Sequence, residues 1–344
     1  MNTEEAVKAL PKAELHVHIL GSVRPRTLLS IMQEAGDGTD MSEREIRDRF
    51  RFSDFGHFIE VYKTIIQYVT DERYFERFAF EMMEDCAASN SKYVEVSFSP
   101  IDHVQQDLDY FSMIDAIRRG LHRAENRFDI QSDIRIDLVR HSDSQAAMLV
   151  LDWVEQDMQG IVSIDIGGSE HKFPPAPFAD AYRRASEMGL HLVAHAGEAA
   201  GPQSIWDAIR LLQVERIGHG VTAVQDPKLM AELKKRDIVI EACPVSNIRT
   251  GAVPSIAEHP IREFYDYGLI VTVNSDDPTL FNTDLNNEFI QLHRHLGFTL
   301  QELTQLSLNA VQAAFLEEGL KEQLRARFVR ESDLVLKSIG PTED

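Results

Sequence analysis

Four stretches of this chain close on side chains that move protons or bind metal ions. Glu14-Leu15-His16-Val17-His18 carries two imidazoles two residues apart. His195-Ala196-Gly197-Glu198 ends one apolar run, His219 ends another, and Asn274-Ser275-Asp276-Asp277 ends a fourth. Side chains alternate along an extended strand, so His16 and His18 share a face. Together with His195 and Asp276 they supply three imidazoles and a carboxylate, a donor set that suits one zinc ion with a position left for water. Zinc lowers the pKa of such a water to about 7, giving hydroxide at neutral pH. Glu198, three residues past His195, is placed to reach a substrate as an acid, and His219 is placed to take the water's proton.

Taken singly, each motif is weak. With 13 histidines in 344 residues, a His-x-His arises about half a time by chance. A lone histidine closing a buried strand is more often a satisfied core residue than a ligand, and Asp276-Asp277-Pro278 alone reads as a turn or helix cap. The reading depends on whether the four strand ends meet.

Eight short apolar stretches read as strands: Leu15 to Ile19, Lys92 to Pro100, Arg135 to Val139, Ile161 to Ile166, His191 to Ala194, Arg216 to His219, Ile238 to Ala242 and Ile270 to Asn274. Each is followed by helical sequence. That alternation argues for a parallel sheet. Eight units in this length fit a closed (β/α)8 barrel of the TIM type, with an open doubly wound sheet as the alternative. Only the barrel makes its first and eighth strands neighbours and gathers the strand ends on one face. The segment from Ser22 to Asn90, mostly helical, is far longer than the ~10–12 residues a crossover needs, so it reads as an insertion covering something. Its Phe55, Phe58 and Tyr62 would form an apolar lid or pack at helical spacing into the core. Trp153 and Trp206 read as packing residues, Gly201 to Trp206 as a helix start, and the tail past Lys337 as loose. No repeat or linker divides residues 1–344, which read as a single domain.

Formal net charge is −21, which disfavours nucleic acid and anionic membranes as partners and otherwise reads as solubility. Two cysteines, Cys86 and Cys243, make neither a disulfide framework nor a zinc site. The N-terminus lacks the apolar core of a signal peptide, so a cytoplasmic protein is expected.

The motifs Pro11-Lys-Ala-Glu-Leu-His-Val-His18, His195-Ala-Gly-Glu198, Gly218-His-Gly220, Cys243-Pro-Val-Ser-Asn-Ile-Arg-Thr-Gly-Ala252 and Asn274-Ser-Asp-Asp-Pro278 resemble the adenosine deaminase family, from about Pro11 to beyond Asp284. The resemblance implies zinc on His16, His18, His195 and Asp276. It implies hydrolysis of a 6-aminopurine nucleoside to its 6-oxo product and ammonia, with Glu198 protonating ring N1 and His219 deprotonating the water. It also implies Asp277 at purine N7 and the Gly168 N–H at N3. Adenosine-specific members carry an acidic residue before the glycine that follows the His-x-His pair, bonded to the ribose 5′ hydroxyl. Here that residue is Leu20, ahead of Gly21. Leucine accepts no hydrogen bond, so the expected substrate is a 5′-modified adenosine such as 6-aminodeoxyfutalosine of menaquinone biosynthesis. Adenosine is the alternative, and adenine is less favoured.

Two other classes compete. Two-metal hydrolases on the same barrel need a carboxylated lysine at the end of the fourth strand, and here Ile164-Asp-Ile-Gly-Gly168 stands there. A barrel kept only for binding would be free to lose Glu198 and His219, and both are present. Iron or manganese would suit the same ligands as zinc.

Overall fold

A computed structural model describes residues 1–37, 40–52 and 55–339. Eight strands follow in chain order: β1 (Lys12–His18), β2 (Ser91–Phe98), β3 (Gln131–Val139), β4 (Ile161–Gly167), β5 (His191–Ala196), β6 (Arg216–His219), β7 (Val239–Ala242) and β8 (Val271–Val273). Every neighbouring pair is parallel and the order is sequential. The ring nearly closes just past β8, where Asp276 bridges Val17. The His18 N–H donates to the Asp276 carbonyl at 2.9 Å, and the Asp276 N–H to the His16 carbonyl at 3.1 Å. The barrel, and not the open sheet, is the fold.

Strand alternation divides each strand between a helix-facing row and an interior row. The helix-facing rows are apolar, as with Ile164 and Ile166 on β4, both fully buried. The interior of most such barrels is packed with branched aliphatic side chains. Here one interior layer is ionic instead. Glu95, Arg135, Asp165, Arg216 and Glu241 come from five strands and are at most 1% exposed. Burying ions costs several kcal/mol each unless they are paired, and these are: Arg216 holds Glu95 and Glu241, and Arg135 holds Glu241 and Asp165.

Helix α1 (Thr3–Ala9) precedes the barrel, opened by an Asn2–Glu5 capping box that the sequence reading passed over. The insertion after β1 holds α2 (Pro25–Glu34), α3 (Glu43–Arg49), α4 (Phe55–Tyr68) and α5 (Tyr74–Ala88). Pro25 takes the first helical position of α2, where its missing N–H costs nothing. On α4, Phe58, Val61 and Ile65 recur at helical spacing and are buried. Asp226 caps the helix Pro227–Lys235, and Thr299 with Glu302 makes the capping box of Leu300–Ala313. Trp206 donates to Asp226 at 2.9 Å and Trp153 stacks on Tyr110, so both are packing residues. The last described helix runs Glu318–Ser338; the end of the expected loose tail, 340–344, lies outside the described residues. Among the described residues no helix is long and apolar enough to cross a membrane.

Candidate active site

The C-terminal strand ends converge. Donor atoms of His16, His195, His219 and Asp276 all lie within 4.8 Å of one another, a cluster able to hold one divalent cation. His18 stands at its edge, with Nε2 3.3 Å from Asp276 Oδ1; His16 Nε2 is 3.5 Å from that same oxygen. His16 Nε2 is buried without a hydrogen-bond partner, an arrangement that costs free energy unless a ligand takes the lone pair. Both His219 and Asp276 adopt left-handed backbone, at φ 65° and 66°, a strain of ~1–3 kcal/mol apiece that surrounding structure must sustain. Gly218 permits the convergence, since a Cβ there would sit 2.9 Å from the His16 ring.

The far nitrogens of the imidazoles separate them into two kinds. His16 Nδ1 bonds Glu241 at 2.8 Å, His18 Nδ1 lies 3.2 Å from Asp137, and His195 Nδ1 lies 3.1 Å from Asp165. A carboxylate facing Nδ1 favours the Nδ1–H tautomer and leaves the Nε2 lone pair toward the cluster. His219 differs, because its Nδ1 meets the Asn247 side-chain amide nitrogen at 3.1 Å. The direction of that bond is set from further away. The Ile261 N–H donates to His259 Nδ1, so neutral His259 carries its proton on Nε2 and donates to Asn247 Oδ1 at 3.1 Å. Asn247 must then donate to His219 Nδ1, which puts the proton of neutral His219 on Nε2.

Electrostatics grade the acids. Burial, and then Asp276 nearby, pushes Glu198 up to about 7, the range of a general acid near neutral pH. Its Oε1 accepts from Thr250 at 3.2 Å, and its Oε2 lies 3.7 Å from His219 Nε2. Burial pushes Asp277 well above the carboxylate range, with Asp276 adding to it. Burial opposes ionisation of Asp276 too, but His16 and His18 outweigh it and hold Asp276 well below that range. Burial lowers His219 to about 4, so it is neutral at pH 7. Of two adjacent aspartates, one is driven toward its anion and its neighbour toward the neutral acid.

A cavity of about 470 Å³ opens on this cluster, lined by His18, Glu198, Asp277 and Gly168 at one end and by Phe58, Ile59, Tyr62, Ile66 and Phe281 along an apolar wall. Phe58 stacks on Phe281 with ring centroids 5.1 Å apart, tying α4 to the segment after β8. Phe58 and Tyr62 therefore line the cavity and pack into the core at once; the Phe55 side chain lies outside the described residues. Leu20 is 2% exposed within the core, and the cavity lining does not include it. Gly21 beside it is required, since a Cβ there would overlap the Asp277 carboxyl.

Several residues that shape the site went unread in the sequence. Ser246 donates to Asp276 at 2.6 Å. Glu170 accepts from the Gly197, Ala199 and Ala200 N–H groups and so folds the loop bearing Glu198. Asp137, Asp165 and Glu241 each interrupt an apolar strand with a charge, and that anomaly was their signal.

Residues 11–330 match the family model described as adenosine deaminase. The chain belongs to the adenosine deaminase family. Across 322 residues it is 38% identical to an aminodeoxyfutalosine deaminase of Streptomyces coelicolor, covering 92% of this chain and 83% of that one. An adenine deaminase of Albidiferax ferrireducens is 34% identical, with 93% of each chain covered. Among solved structures, an amidohydrolase from Burkholderia ambifaria with bound zinc superposes at a TM-score of 0.91 and 30% identity, covering 98% of this chain and 95% of that one. An adenine deaminase of Arthrobacter aurescens gives 0.90 at 28%, covering 95% and 99%. This adenosine deaminase family member is thus a metal-binding enzyme with a site for one divalent cation.

Proposed function

We propose that this enzyme hydrolyses the 6-amino group of a 5′-modified adenosine, with 6-aminodeoxyfutalosine as the leading substrate, releasing ammonia and a 6-oxo purine nucleoside. The observation that carries this reading is the cavity itself. Its volume of about 470 Å³ is within the range that encloses a molecule of drug size, and its apolar wall continues beyond the polar end where a purine would sit. Leu20 supports it by chemistry, since no carboxylate stands at that position to bond a 5′ hydroxyl. So does the 38% identity to a relative named for that substrate.

His16, His18, His195 and Asp276 would hold the cation, because each of these three imidazoles turns Nδ1 to a carboxylate and offers Nε2 as a lone pair. When bound, zinc supplies an acidified water at neutral pH. The remaining chemistry belongs to the chain's own groups. Glu198, protonated near neutrality, delivers a proton to ring N1 and makes C6 electrophilic. Asp277, as a neutral acid, donates to N7, and the Gly168 N–H to N3. For His219, expected as the base, we propose a holding role instead. Its Nδ1 lone pair is engaged by Asn247 and its Nε2 carries hydrogen, which supports holding the attacking oxygen. Glu198, a carboxylate once N1 is protonated, takes the water's proton and passes it to the amino group, which leaves as ammonia. The 6-hydroxyl proton then returns to Glu198, whose Oε2 lies 3.7 Å from His219 Nε2.

Relatives named adenine deaminase and adenosine deaminase, at 34% and 30% identity, support a second reading in which the bare base or adenosine is the substrate. Measuring kcat/KM for adenine, adenosine, 5′-deoxyadenosine, methylthioadenosine and aminodeoxyfutalosine separates the two. The proposal expects aminodeoxyfutalosine to lead by ~10-fold or more, the order of one well-placed binding contact. A lead for adenine or adenosine would overturn it.

A further inference from the structure

β3 contributes no side chain to the donor cluster, yet three alternate residues on its interior face, Asp133, Arg135 and Asp137, are charged or acidic where a barrel strand is ordinarily apolar. Asp137 and Arg135 both lead to the metal-binding imidazoles. Asp137 Oδ2 faces His18 Nδ1 directly at 3.2 Å. Arg135 reaches the other two through intermediaries. Its Nη1 donates to Glu241 Oε2 at 2.9 Å and to Asp165 Oδ2 at 3.1 Å. Those are the same two oxygens that face the imidazoles: Glu241 Oε2 bonds His16 Nδ1 at 2.8 Å, and Asp165 Oδ2 stands 3.1 Å from His195 Nδ1. The other guanidinium nitrogen, Nη2, donates to Glu241 Oε1 at 2.8 Å and to the carbonyl of Leu15, the residue before His16. A single planar group thus bridges the supports of two imidazoles from opposite sides of the barrel.

We propose that Arg135 is a positioning residue for the cation site, setting His16 and His195 through Glu241 and Asp165 while Asp137, two residues on, sets His18. The planarity of the guanidinium is what the position uses. Nη1 carries two hydrogens in a fixed fork and gives one to each carboxylate. An ammonium is a compact point charge on a flexible stem and cannot reproduce that fork. Arg216, the other interior cation, does not duplicate the arrangement, because it holds Glu241 by Oε1 and otherwise pairs with Glu95. Among the described residues Asp165 pairs with one guanidinium, that of Arg135, so His195 depends on Arg135 more than His16 does.

The inference rests on the reading of His16, His18 and His195 as ligands, so the wild-type protein is titrated with zinc first. Failure to bind one equivalent would count against that reading and not against the role of Arg135. Two variants then carry the test. Arg135→Lys keeps the charge and loses the fork. Arg135→Met with Glu95→Gln removes one positive and one negative charge, which preserves the balance of the layer and leaves Glu241 and Asp165 intact. Zinc affinity is read by competition with a chelator, and the ligand field by the visible spectrum of the cobalt-substituted protein. Metal-free unfolding is followed in parallel. Loss of supports to metal-binding histidines costs ~10–100-fold in affinity. Both variants are expected to bind zinc more weakly by that order and to show an altered cobalt spectrum, with kcat falling more than KM rises. A merely structural arginine would lower the metal-free unfolding temperature and leave affinity and spectrum alone. Wild-type affinity and spectrum in either folded variant would overturn the proposal.

Discussion

Glu198 should weaken the fold it serves, and the structure sets the size of that effect. Its carboxyl is buried and pushed from an ordinary 4.5 to about 7. The sign follows from the raised value. The stability linked to its protonation is fully present below pH 4.5 and is lost as pH rises through 7, because the unfolded chain ionises the group freely and the folded chain resists. At ~1.4 kcal/mol for each tenfold, the whole effect is ~3 kcal/mol, reached above about pH 8. Glu198→Gln keeps the shape and removes the charge. The variant is therefore expected to match the wild type in stability at pH 4 and to exceed it by up to ~3 kcal/mol at pH 8, measured by urea unfolding of the chelated protein across that range. With zinc bound the gap should narrow, since a cation nearby favours the carboxylate. The same variant should retain zinc yet lose ~10²–10⁴-fold in turnover, the usual contribution of a general acid. A Gln variant no more stable than wild type at pH 8 would refute the buried, proton-holding Glu198. Retained turnover would remove it from the acid role.

Three further outcomes follow from other contacts. Asp165→Asn leaves the His195 ring without its carboxylate at 3.1 Å and should weaken zinc binding ~10–100-fold, read by chelator competition; an unchanged affinity would contradict it. Asn247→Asp accepts where the amide donated, so neutral His219 should move its proton to Nδ1. Nitrogen NMR of the imidazole should register the switch and kcat should drop by ~10² or more, as wrong-tautomer histidines do; an unchanged tautomer would break the chain drawn from Ile261. Gly21→Ala drives a methyl into the Asp277 carboxyl, so KM for the nucleoside should rise while bound zinc stays at one equivalent, and an unaltered KM would mean Asp277 does not touch the base.

The functional strand ends were readable because chemistry and periodicity coincide there. His16 and His18 alternate on one strand, Glu198 follows His195 by three, and eight apolar runs in series imply the ring that brings Asp276 back to Val17. The supports were harder to see. Arg135 belongs to no short motif, and its partners Asp165 and Glu241 lie 30 and 106 residues away in sequence, so their meeting depends on barrel closure and register together. Charges inside apolar strands are anomalies in the sequence, but nothing there says which partner each one meets. The orientation of His219 was not readable at all, because it is decided by a backbone N–H at Ile261 acting through two intervening side chains. Leu20 shows the converse. Its missing acceptor could be read from the sequence, while its place in the core and out of the cavity lining required the structure.

The most direct test of the account is a titration of metal-free protein with zinc while ammonia release from aminodeoxyfutalosine is followed. Activity should rise linearly and stop at one equivalent of zinc per chain, and Glu198→Gln should bind the same single equivalent without releasing ammonia. Ammonia release that ignores zinc, or no ammonia from this nucleoside, adenosine or adenine at full zinc occupancy, would contradict it.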